Sequence, residues 1–97
     1  MKIPPRISVI IPVLNEEAGI ALTVQNVRGT LPDSEVIMVD GGSSDATAER
    51  AENAGAKVIR AERGRGRQCR VGAAQATGQI LLFLHADTLL PQNEVGS

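Results

Sequence analysis

Aromatic residues are almost missing from this chain: Phe83 is the single one, and there is no tryptophan or tyrosine in 97 residues. A core must therefore be filled by Val, Ile, Leu and Ala, with little shape-specific anchoring. Cysteine is equally scarce. Cys69 stands alone, so no internal disulfide can form, and a reducing cytoplasm is the expected compartment. No basic segment followed by an apolar run and a small-residue cleavage site opens the chain, and no apolar stretch approaches the ~20 residues needed to cross a bilayer. Any membrane association is expected to be peripheral. Excess charge is also lacking. Ten basic and eleven acidic residues leave a net charge of −1, which excludes a nucleic-acid protein driven by overall phosphate attraction. Internal repeats and low-complexity segments are absent. With 42% hydrophobic and 22% charged residues, neither disorder nor a collagen-like chain fits.

What is present is alternation. Residues 7–13 (ISVIIPV) are β-branched and almost continuously apolar, the pattern of a strand covered on both faces, as in parallel sheets. Asn15 is then expected to cap a helix, with Glu16 and Glu17 in its first turn. Ile20, Val24, Val27 and Leu31 recur at helical spacing, while Gln25, Asn26 and Arg28 face water, and Gly29 and Pro32 end the helix. Residues 35–39 read as strand two. Residues 45–53 read as a second helix, capped by Ser43 or Ser44 and closed by Gly55, and 56–60 as strand three. A basic loop over 62–67 leads to a third helix from about 68 to 77, stopped by Gly78, and 79–84 gives strand four.

The order βαβαβαβ predicts a parallel sheet with right-handed crossovers, which puts every strand-to-helix loop on one rim. In such sheets ligands bind outside the carboxyl ends of the strands, where the winding reverses. Asn15, Asp40, Arg67 and Asp87 all map to that rim. Arg60, Arg63, Arg65, Arg67 and Arg70 are half of the basic residues and crowd into one short segment, a field suited to a polyanionic ligand.

Four segments, 7–17 (ISVIIPVLNEE), 36–45 (VIMVDGGSSD), 64–68 (GRGRQ) and 82–87 (LFLHAD), resemble, in order, the N-terminal half of a family 2 glycosyltransferase of the GT-A fold. They are most similar to a bacterial subgroup with a Leu-His-Ala-Asp-Thr metal motif. The resemblance implies an inverting, nucleotide-sugar-dependent enzyme with a Rossmann-like three-layer α/β/α domain and a four-stranded parallel sheet in the order 3-2-1-4. It implies that the rim residues Pro12, Asn15, Glu16, Asp40, Gly41 and Ser43 cup base and ribose, with Asp40 accepting a hydrogen bond from the base. Arg67 at the third helix would contact phosphate, and Asp87 would bind Mg²⁺ or Mn²⁺ bridging the diphosphate of a UDP- or GDP-sugar. His85 stands where the first Asp of the family's Asp-x-Asp is usual and is a further candidate nucleotide contact. Arg70 stands where such enzymes commonly carry Asn. Acceptor recognition and the catalytic base belong, in this family, to the half after the metal motif, so the base is expected beyond residue 97. On this reading residues 1–90 form the donor-binding domain and 91–97 a loose tail.

Two other functions compete. Residues 64–69 (GRGRQC) approach the G-x-G-x-x-G of dinucleotide-binding folds, but the third position is Cys69 and several residues intervene after strand three. A P-loop is excluded because no Gly-Lys-Ser/Thr follows the glycines. The non-enzyme alternative is a nucleotide-binding module that associates with other chains. Strand four would leave the apolar edge 80–84 unpaired, which predicts self-association.

Overall fold

The computed structural model describes residues 5–91. Seven elements alternate: β1 (Ile7–Val13), α1 (Ile20–Thr30), β2 (Glu35–Asp40), α2 (Thr47–Asn53), β3 (Lys57–Arg60), α3 (Arg65–Gln75) and β4 (Ile80–Phe83). The strands pair in parallel in the spatial order β3-β2-β1-β4, as expected. The expected tail lies, from residue 92 onward, outside the described residues.

β1 and β2 are central and read as unbroken apolar runs because both of their faces are covered. Alternate side chains sort into two cores. Val9, Ile11, Val13, Val36 and Met38 meet Ile20, Val24 and Val27 of α1 and Ala51 of α2 on one face. Ile10, Ile37 and Val39 meet Val71 and Ala76, at α3, on the other. The result is three layers built from aliphatic residues. Full burial of each such side chain contributes about 1.5–3 kcal/mol, so the missing aromatics are replaced by number. Phe83 lies outside this core and is 48% exposed on β4. Gly72 explains how closely α3 sits: a Cβ there would meet Ile10 Cγ2 at 2.6 Å and Val39 Cγ2 at 2.9 Å.

Helix boundaries differ from the expectation in ways that matter for the rim. Asn15 does not cap α1, and Glu16 and Glu17 are not in its first turn; the helix begins at Ile20, after a turn in which Gly19 and Ile20 donate to the Glu16 carbonyl. Asn15 instead adopts a left-handed backbone with φ of 52°, a conformation Asn tolerates better than most residues. Ser43 and Ser44 do not cap α2, which starts at Thr47. Gly55 closes it as expected, with φ of 107° and its N–H on the Glu52 carbonyl. α1 runs through Gly29 to Thr30, and α3 starts three residues earlier than predicted and ends before Gly78.

Two polar clusters fasten α3 to the sheet. At its far end Ser8, fully buried, donates to Glu35 Oε1 at 2.7 Å and accepts from the Gly78 N–H at 2.8 Å. The same Glu35 oxygen accepts from the Thr77 N–H and hydroxyl at 2.9 and 3.1 Å. At its near end the Gln68 side chain is almost fully buried. Its Nε2 donates to the carbonyls of Val13 at 3.1 Å and Val39 at 2.9 Å, while Oε1 accepts from the Gly64 N–H at 3.1 Å. One carboxamide thus joins the ends of β1 and β2 to the start of α3. Gly41 follows from this: a Cβ would lie 2.9 Å from Gln68 Cδ and Oε1, a side chain too firmly bonded to yield.

The Thr77 N–H, then the Ser8 and Thr77 hydroxyls and Arg6, hold the Glu35 carboxyl below its ordinary range against the opposing effect of burial. A folded-state value below the unfolded one adds stability that is present above the unfolded value and lost as pH falls through the folded value. Glu35→Gln is therefore expected to melt below wild type at pH 7, with the two converging under acid below about pH 4.3; parallel melting curves down to pH 3 would refute this. Gln68→Met removes three hydrogen bonds to backbone groups in the interior and is expected to cost about 2–4 kcal/mol in urea unfolding. A loss under 0.5 kcal/mol would show that water replaces the amide.

Candidate functional site

The carboxyl ends of β1 and β4 and the start of α3 enclose a polar cleft of about 330 Å³. Pro12, Glu16, Arg65, Gln68, His85 and Asp87 line it. A larger hollow of about 440 Å³ lies at the opposite end of the strands, between the start of β1 and the turn after α1. Its lining is mostly apolar, and it sits away from the carboxyl ends where open α/β sheets bind ligands. The chemistry is concentrated in the first.

Asp87 reaches the cleft from a turn after β4 that is closed by the Thr88 N–H on the His85 carbonyl. This segment is pinned to α1. Thr23 donates to the Ala86 carbonyl at 2.6 Å, and Asn26 clasps Leu90 in both directions, Nδ2 to its carbonyl at 3.0 Å and Oδ1 from its N–H at 2.6 Å. Asn26, expected to face water, is therefore what fixes the approach to Asp87. Among the described residues no group of three or more His, Cys, Asp or Glu side chains converges as a metal cage. The donor set fits a hard cation held by one or two carboxylates and completed by phosphate oxygens and water, the usual habit of Mg²⁺.

Arg65 is the arginine in the cleft. Its guanidinium reaches the His85 ring across the opening. Arg67, the expected phosphate contact, is turned away and paired with Glu62 at 2.5 Å. The reason is the early start of α3: two helical residues are separated by about 200° around the axis, so Arg65 and Arg67 cannot face one cleft together.

The other expected nucleotide residues stand one layer behind, where the loops after β1 and β2 interlock. The Asn15 N–H donates to Ser43 Oγ at 2.8 Å, and Asn15 Oδ1 accepts from the Ser44 N–H at 2.8 Å. Ser43 in turn donates its hydroxyl and N–H to Asp40 Oδ1 at 2.6 and 2.9 Å. Glu17 Oε2 accepts from the Ala46 N–H at 3.1 Å, just ahead of α2, and the Glu16 N–H donates to the Thr47 hydroxyl at 2.8 Å. The Thr47 hydroxyl and N–H hold Asp45 below its ordinary range. Asp40 is fully buried, and its Oδ2 is without a hydrogen-bond partner among the described residues. Gly41 is packed behind it with its N–H on the Val13 carbonyl at 3.0 Å.

Pro12, Glu16, His85 and Asp87 thus converge as the sequence suggested; Asn15, Asp40, Gly41 and Ser43 form the supporting layer, and Arg67 lies outside. Gln68, Thr23 and Asn26 were not singled out as site residues from the sequence, and Arg65 stood there only as one of the five clustered arginines. Gln68 had one usable signal, a polar residue beside the glycines of residues 64–66. Thr23 had another, being a polar residue beside Val24 on the apolar helix.

A family model described as glycosyl transferase family 2 matches residues 8–97. Glucosyl-3-phosphoglycerate synthase of Mycolicibacterium smegmatis is 36% identical over 88% of this chain and 32% of its own length. Protein RfbJ of Shigella flexneri is 33% identical over 84% of this chain and 64% of its own length. The solved structure of glucosyl-3-phosphoglycerate synthase from Mycobacterium tuberculosis, in complex with Mn²⁺, UDP-glucose and phosphoglyceric acid, superposes with a TM-score of 0.79 at 30% identity. That match covers 91% of this chain and 35% of the other. This chain spans about a third of the length of the synthases it matches. With the family model covering all seven elements and the GT-A structures reproducing the sheet, the chain belongs to glycosyl transferase family 2.

Proposed function

We propose that this chain is the donor-binding part of a glycosyltransferase, holding a nucleoside diphosphate sugar with Mg²⁺ or Mn²⁺ in the cleft between β1, β4 and α3. One observation carries the reading: a carboxylate, Asp87, and a guanidinium, Arg65, converge on a polar cleft at the carboxyl edge of the sheet. The cleft's charge supports a cation. Glu16 and Asp87 outnumber Arg65 among the lining residues, so a diphosphate entering alone meets net repulsion. Asp87 would hold a divalent ion, which would reverse that sign and supply electrostatic stabilisation of the diphosphate's negative charge. The Mycobacterium tuberculosis structures that this chain resembles contain UDP with Mn²⁺ or with Mg²⁺, which supports the same choice.

This chain's own residues bind and orient. Asp87 is fixed by α1 through Thr23 and Asn26, so its carboxylate meets the ligand already aimed. Asp40 is assigned to the base. Its Oδ2 is a buried acceptor with no donor, and an imino N–H of the base supplies one once the 41–44 turn admits it. Asn15 and Ser43 act through Asp40 by fixing its other oxygen. Acceptor recognition and the base that deprotonates the acceptor hydroxyl are assigned to chain beyond these 97 residues, in keeping with relatives about three times as long. A cytoplasmic location agrees with the lone Cys69 and, among the described residues, with the lack of any helix long and apolar enough to cross a membrane.

The edge strand β4 is assigned to self-association of the 97-residue chain. Ile80, Leu81 and Phe83 are 45%, 40% and 48% exposed, and they project from both faces of a strand whose outer edge is unpaired among the described residues.

Two measurements test these assignments. In titration calorimetry, UDP is expected to bind at least tenfold more tightly with Mn²⁺ than without, and Asp87→Ala is expected to abolish that difference without lowering the melting temperature. Tight, metal-independent NAD binding in place of UDP would overturn the reading. In sedimentation velocity, the chain is expected to grow in mass across tens of micromolar, with Leu81→Lys/Phe83→Lys remaining monomeric; a wild-type monomer throughout that range would remove the β4 assignment.

A further inference from the structure

Arg65 apart, the clustered arginines take no part in lining the cleft, and the surface they occupy carries charge of one sign. Residues 63–86, which hold α3 and β4, contain four arginines and no acidic residue, whereas the rest of the chain has all eleven acidic residues against six basic ones. Arg67 is paired with Glu62, but Arg63 and Arg70 are exposed with no side-chain partner among the described residues. Arg70 lies two residues from both Gln68 and Gly72, which are buried against the sheet, so it projects outward from α3. Beside the helix the same face of the sheet is bare. α3 packs mainly over β1 and β2. Leu81 and Phe83 of β4 stand in register with Ser8 and Ile10, and Ile10 belongs to the core under α3, so both side chains rise on that face, 40% and 48% exposed.

We propose that this shoulder, the outer side of α3 with the adjoining face of β4, docks on a bilayer rich in anionic lipid. Two features select a membrane over an acidic protein. A lipid surface offers one sign of charge over its whole extent, and the shoulder answers with one sign, whereas protein surfaces mix both. The apolar part is two large side chains standing out from a strand. They enter the headgroup boundary, while the long arginine stems keep their guanidinium groups at the lipid phosphates. Orientation follows from the opposite face of the sheet, where α2 exposes Glu49 and Glu52 and is repelled by the same surface. The contact leaves Pro12, Glu16 and Asp87 in the cleft untouched, and the edge of β4 keeps its backbone groups for pairing.

The test is flotation of the chain with phosphatidylcholine vesicles made with and without phosphatidylglycerol. Partitioning is expected to be at least tenfold stronger with phosphatidylglycerol at about 0.1 M salt and to vanish at about 1 M, where screening is complete within ~3 Å. Arg63→Gln/Arg70→Gln is expected to lower it at least tenfold, each arginine at an anionic surface contributing about fivefold, with the melting temperature unchanged. Leu81→Thr/Phe83→Thr is expected to lower it at least threefold and to keep the salt dependence. Because the chain has no tryptophan, Phe83→Trp introduces a single reporter. Its emission is expected to shift to the blue on phosphatidylglycerol vesicles and to be quenched by brominated acyl chains. Equal binding to both vesicles, wild-type partitioning by Arg63→Gln/Arg70→Gln, or emission unchanged by lipid would overturn the proposal and leave the nucleotide reading intact. Tighter binding to polyglutamate than to the vesicles would overturn it in favour of an acidic protein.

Discussion

Three backbone groups at the carboxyl edge of the sheet, the carbonyls of Val13 and Val39 and the N–H of Gly64, are satisfied by a single buried carboxamide, that of Gln68. Each comes from a different part of the chain, and the Val13 carbonyl accepts from the Gly41 N–H as well, so the amide shares its acceptor with the turn after β2. The geometry of the cleft depends on this convergence. β1 ends where Pro12 and Glu16 enter the site, β2 ends at Asp40, and α3 starts with Arg65. Without the amide, the register of α3 against the strands would be set only by apolar contact, which is non-directional. The far-end cluster of Ser8, Glu35 and Thr77 applies a second constraint, so α3 is fixed at both ends along its length.

A division of labour between two layers follows. Glu16, Arg65, His85 and Asp87 present charge or donors to the cleft, whereas Asn15, Glu17, Ser43, Asp45 and Thr47 spend their polar atoms on one another's backbones. Loops of this kind are otherwise the mobile parts of an α/β domain. Here the loops after β1 and β2 are joined side by side, which holds this rim in shape.

The architecture was legible because its signals are repeated. Two strands buried on both faces, helices with spaced aliphatics and glycine stops each specify the same alternation, whereas the strand order came with the family resemblance. Of the cleft residues, Asp87 was legible from its position past a strand end, and Pro12, Glu16 and His85 came with the family resemblance. What was not legible depends on angle. Whether α3 begins at residue 65 or 68 decides which arginine faces the cleft, and helix starts are the least determined feature of a sequence when no side-chain cap marks them; α3 has none. Asn15 followed by two glutamates carries the composition of a helix cap, yet those groups cap the neighbouring loop across the rim, a long-range pairing with no local signature. Gln68 and Asn26 escaped for the same reason. Their amides bond to backbone more than 25 residues away in sequence.

The clasp between Asn26 and Leu90 has a thermodynamic corollary. Because the stretch bearing Asp87 is tied to α1 and not to its own strand, ordering that stretch around a ligand also steadies the helix, and coupling of this sort is reciprocal. A change at Thr23 or Asn26 on α1 is therefore carried to the stretch that presents Asp87.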